Sequence, residues 1–140
     1  MQLEVLVDSP EIAIGYDVEN HWLYVDWQGE HDQETTRAAC LLMLQSLRAR
    51  RCTKILNDNS NITRTNMRLT QWGLRWLDDM HLGGLEYIAW VLPNSLLARQ
   101  AVENTVHSIA APQVGTFDDV ASAYVWLRQQ QPGPQLANRT

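Results

Sequence analysis

Apolar and polar residues alternate with a period of two through the first third of the chain. Residues 11–19 set Ile12, Ile14, Tyr16 and Val18 against smaller or polar neighbours. Residues 21–28 put Trp22, Tyr24 and Asp26 on one face and Leu23, Val25 and Trp27 on the other. Two such runs joined at Glu19-Asn20 predict a β-hairpin, with residues 3–7 as a short edge strand. Gly29 breaks the pattern, and Asp32 is placed to N-cap a helix reaching about Arg50. From Ala38 to Leu44 that helix is apolar all round, which predicts burial on more than one side.

A short strand at residues 54–58 comes next. Residues 57–66 are built from Asn, Asp, Ser and Thr, whose side chains bond to nearby backbone and favour a loop. A helix over about 66–82 is stopped by Gly83-Gly84. Residues 85–92 form a strand, apolar on both pleat faces from Tyr87 onward, as in a central strand covered on both sides. Pro93-Asn94 opens a helix to about Ile109, residues 112–117 form the last strand, and Asp118 caps a final helix over 119–130. Strands separated by helices pair in parallel, whereas the opening hairpin pairs antiparallel. The expected fold is therefore α/β: a mixed sheet with an N-terminal hairpin, then βαβ units, packed with about four helices. One domain is expected over 1–130, with a disordered tail at 131–140 around Pro132-Gly133-Pro134.

Composition narrows the function classes. At 45% hydrophobic and 19% charged residues, the chain has globular composition. No apolar run approaches the ~20 residues of a membrane span, and the acidic N-terminus is unlike a signal peptide, so a cytoplasmic location is expected. A net charge of −5 argues against a nucleic-acid partner. Arg48, Arg50, Arg51 and Lys54 lie at a helix end, where cations complement the dipole.

Catalytic and metal motifs are absent. Cys40 and Cys52 form no ligand spacing, and His21, His31, His81 and His107 form no helical ligand pair. His81 with Asp78 and Asp79 is the one tight titratable cluster, read as a partner of a helix C-terminus. There is no GxSxG, Walker loop or GxGxxG. No catalytic residue, metal or cofactor is expected, and the chain reads as a non-enzyme.

Two other features suggest binding. The polar stretch that opens with Asn57, Asp58 and Asn59 follows the carboxyl end of a parallel strand, where open α/β sheets take ligands. In the helix after it, Leu69, Trp72, Gly73, Trp76, Leu77 and Met80 form one stripe suited to the sheet, while Met67, Leu74 and Leu82 lie opposite. That second face suits a partner contact. Trp72 and Trp76, with Asn57, Asp58 and Asn59 as a polar lip, suit a pocket for a small, partly apolar ligand.

The stretch Lys54-Ile55-Leu56-Asn57-Asp58-Asn59-Ser60-Asn61-Ile62-Thr63, together with Thr116-Phe117-Asp118-Asp119-Val120-Ala121-Ser122-Ala123-Tyr124-Val125-Trp126-Leu127, resembles SpoIIAA-like proteins of the STAS superfamily. By element order the resemblance spans roughly residues 11–128. It implies a regulatory module that acts through protein contact, as a homodimer or with another protein. Members similar to anti-sigma-factor antagonists are phosphorylated in an Asp-Ser-Ser-Gly-like run at the start of the helix after the third strand. Here that place holds Thr63-Arg64-Thr65-Asn66, so Ser60, Thr63 and Thr65 are the candidate phosphoacceptors. The fold's likeness to CRAL-TRIO carriers leaves a small apolar ligand as the alternative.

Overall fold

The computed structural model describes residues 2–66 and 70–131. Its elements are β1 (Leu3–Asp8), β2 (Ile12–Asp17), β3 (Trp22–His31), α1 (Gln33–Ala49), β4 (Lys54–Thr65), α2 (Gln71–Leu82), β5 (Tyr87–Val91), α3 (Leu96–Val106), β6 (Gln113–Phe117) and α4 (Val120–Gln129). The six strands form one sheet in the order β1-β2-β3-β4-β5-β6. The first two pairings are antiparallel and the other three parallel, as the alternation of elements predicts.

The β2–β3 turn is held by one carboxylate. Buried Asp17 accepts from the backbone N–H groups of Glu19 and Asn20 at 3.0 and 3.1 Å, and from Asn20 Nδ2 at 2.9 Å. Those bonds fix a turn in which His21 takes φ 60°, a left-handed conformation that few non-glycine residues adopt.

Because each parallel strand is added to the same edge, crossovers of one hand place successive helices on one face. Side-chain packing divides accordingly. Met43 and Leu47 of α1, Trp76 and Met80 of α2 and Val102 of α3 join Leu23, Val25, Ile55 and Ile88 in the larger core. On the other face, Ala123 and Leu127 of α4 pack with Trp22, Leu56, Ala89 and Val91. β5 feeds both layers, so the strand apolar on both faces is indeed covered twice.

Three expectations need correction. The all-round apolar segment of α1 is buried on one side only: Ala39, Cys40, Met43 and Leu44 are buried, whereas Leu41 is half exposed. The polar run 57–66 is mostly strand rather than loop. β4 continues to Thr65 because β3 also lengthens, with Gln28 opposite Asn61 and His31 opposite Thr65. Cross-strand bonds absorb the polar side chains, as with Asn61 Nδ2 donating to Asp26 Oδ1 at 2.9 Å. Tertiary pairing thus overrides the local loop preference of Asn and Asp. The last helix is capped by Asp119, which accepts from Ser122 N at 2.7 Å, and Asp118 instead pairs with Arg99.

No helix among the described residues is long and apolar enough to cross a membrane. The expected tail, from residue 132 on, and Met67 lie outside the described residues.

Candidate functional site

A cavity of about 440 Å³ opens between α1, α2, the end of α3 and the sheet. Its walls include Trp27 of β3, Trp90 of β5, and Trp72 and Trp76 of α2, with Cys40 of α1 and Leu77 of α2. The volume lies in the range of small-molecule sites. Sheet parity sets the floor. Trp27 falls on the Leu23 and Val25 face, and Asn57 lies opposite Trp90 in the β4–β5 register. On α2, Trp72 and Trp76 are four residues apart and therefore share one face.

Two of the indoles are anchored. Trp27 Nε1 donates to Asn57 Oδ1 at 2.8 Å, and Trp76 Nε1 donates to the Cys40 carbonyl at 2.7 Å. These bonds fix ring orientation on opposite walls. Trp90 differs. It is 4% exposed, and its indole N–H has no acceptor. The Thr36 hydroxyl, also at the cavity, is buried without a partner. Arg37 stands at the cavity with its guanidinium 5.4 Å from the centroid of Trp72, a cation–π distance.

The lining offers apolar walls and few ionisable groups. Among the described lining residues there is no Asp, Glu or His to move a proton. Burial pushes the Cys40 thiol up to about 12, so the thiolate that nucleophilic chemistry needs is scarce at neutral pH. No group of three His, Cys, Asp or Glu gathers among the described residues to hold a metal ion.

The residues expected from sequence divide between two faces. Asn57, Trp72 and Trp76 line the cavity. Asp58 turns to the opposite face, where it accepts from Tyr24 Oη at 2.7 Å and from Ser60 Oγ at 2.6 Å. Burial first, then this bond to Asp58, raises the Tyr24 phenol well above its ordinary range. Asn59 is fully buried and is not a lining residue. Ser60, Thr63 and Thr65 stand on β4, not at a helix start: α2 begins at Gln71, capped by Thr70, whose hydroxyl accepts from Gly73 N at 3.2 Å. Leu74 and Leu82 face outward, 48% and 77% exposed. Trp27, Trp90 and Arg37 line the cavity without being among the residues expected there. The odd-numbered parity of β3 was the signal for Trp27, whereas Trp90 needed the β4–β5 register.

No protein-family model matches this sequence, and no curated protein sequence matches it. Solved structures do. An uncharacterized DUF3478-family protein with a SpoIIAA-like fold from Shewanella loihica PV-4 superposes with a TM-score of 0.55 at 19% identity, over 87% of this chain and 98% of that one. An anti-sigma factor antagonist from Mycobacterium paratuberculosis superposes with a TM-score of 0.53 at 14% identity, over 89% of this chain and 100% of that one. The fold is SpoIIAA-like. Within this SpoIIAA-like frame, the Trp-lined cavity occupies the face covered by α1, α2 and α3.

Proposed function

We propose that this chain is a non-enzymatic, cytoplasmic regulatory module of SpoIIAA type that senses a small, partly apolar ligand. One observation carries the reading: four tryptophans line a cavity, and the buried indole N–H of one of them, Trp90, has no acceptor. A buried donor left unpaired costs about 1–3 kcal/mol, a cost that a ligand acceptor would remove. Indole walls supply apolar contact area, and a few polar groups among them give orientation. The lack of any acid, base or ionised thiol among the described lining residues supports binding over turnover.

Tryptophan fluorescence tests the reading. Titrating the protein with a panel of aromatic and lipid-like metabolites should change its emission saturably for at least one class. Trp72→Ala should abolish or weaken that response by about tenfold while leaving circular dichroism unchanged. Silence of the wild type toward the whole panel would contradict the reading.

A second reading rests on the outward leucines of α2. Leu74 and Leu82 are exposed on the helix that walls the cavity, and one of the solved structures of this fold is an anti-sigma factor antagonist. They suit contact with a second copy or another protein, through which ligand occupancy would be relayed. Leu74→Asp should then lower the mass seen by light scattering from dimer to monomer while circular dichroism shows the domain still folded. A wild-type chain that is monomeric at all concentrations would remove the homodimer from this reading.

A further inference from the structure

We propose that the Trp-lined cavity takes an aromatic carboxylic acid. The proposal rests on the ligand-binding reading above and narrows it by the polarity of what the cavity offers. Two of its acceptors are already committed: Asn57 Oδ1 receives the Trp27 indole N–H, and the Cys40 carbonyl receives that of Trp76. Two of its residues carry unpaired donors. The Trp90 indole N–H and the Thr36 hydroxyl are buried without partners. With Oδ1 engaged, Asn57 has its Nδ2 donor left to offer. A ligand that complements this lining brings acceptors.

Charge points the same way. Arg37 is the one charged residue among the described lining residues, and no carboxylate stands among them. Asp32 and Glu34 line a separate shallow depression that shares Gln33, Arg37 and Asn66 with the cavity. Asp32 is committed there to the start of α1, accepting from Thr35 N at 2.8 Å. An organic cation would therefore meet Arg37 and no counter-charge inside the cavity, while a carboxylate meets a guanidinium able to bind it through two N–H groups. The shape of the body follows from the walls. Indole faces pack best against flat rings in offset or edge-on contact, and 440 Å³ is room for a fused bicyclic acid.

Isothermal titration calorimetry on the full chain with three probes of one ring system tests this. The probes are 2-naphthoate, 2-naphthalenemethanol and 2-naphthylmethylamine. The acid should bind at least about tenfold more tightly than the alcohol and the amine, as expected of a charge-assisted contact. Arg37→Gln, at an exposed position, should erase most of that preference by weakening the acid far more than the alcohol. Trp90→Phe, which keeps a ring and removes the N–H, should weaken the acid several-fold. Equal or tighter binding of the amine or alcohol would overturn the acid assignment and leave the cavity as a binding site. A preference for acid that survives Arg37→Gln would overturn the role of Arg37. No binding of any probe would overturn this proposal, while the reading beneath it falls only if the wider metabolite panel is silent as well.

Discussion

Asn59 is fully buried, and neither the oxygen nor the nitrogen of its side-chain amide has a partner. Its neighbours on β4 show what such residues gain from pairing. Asn57 holds the Trp27 indole, and Asp58 holds Tyr24 and Ser60. Asn59 has the desolvation cost without the bond. Asn59→Leu, which keeps the branching of the side chain, should therefore stabilise the protein by about 1–3 kcal/mol, seen as a rise of several degrees in melting temperature. A fall would mean that the amide is satisfied in solution. From sequence alone Asn57, Asp58 and Asn59 look alike, three polar residues in a row suited to one polar lip. Strand geometry separates them, sending Asn57 to the cavity face and Asp58 to the other.

At the scale of the element, helix starts were readable where their partners are local. Asp32 caps α1 in a capping box with Thr35, both members lying within four residues of each other. Asp119 caps α4 through Ser122, one residue from the expected position. Bonds from backbone and side chain at Thr35 and Ser122 depress both carboxyls below their ordinary range. A depressed folded-state pKa adds stability that is present above the unfolded carboxyl's value, near pH ~3.9, and is lost as pH falls through the lower folded value. The double variant Asp32→Asn with Asp119→Asn should keep its neutral-pH melting temperature, since Asn caps as well as Asp. Its acid limb below about pH 4 should be flatter than that of the wild type. An unchanged acid limb would show that the caps do not contribute it. The continuation of β4 beyond Asp58 was hidden for the converse reason: its partners are on β3, about thirty residues earlier, and local propensity gives no sign of them.

For the whole molecule, the order of strands and helices was legible because the hydrophobic period switches cleanly between two and 3.6. Which face each helix covers was not, since that depends on crossover direction. Consequently the six tryptophans could not be sorted. The structure sends Trp27, Trp72, Trp76 and Trp90 to the cavity, and Trp22 and Trp126 to the α4 face. That division supplies an internal control. Trp22, like Trp90, has a buried indole N–H without an acceptor, but it sits edge-on to Tyr124, 5.3 Å between ring centroids, on the far side of the sheet.

The most direct test of the cavity as a binding site is therefore the proton–nitrogen spectrum of the indole N–H groups during titration with 2-naphthoate. Binding in the cavity should move the Trp90 resonance saturably while that of Trp22 stays in place. A spectrum in which no indole moves, or in which Trp22 moves as far as Trp90, would contradict it.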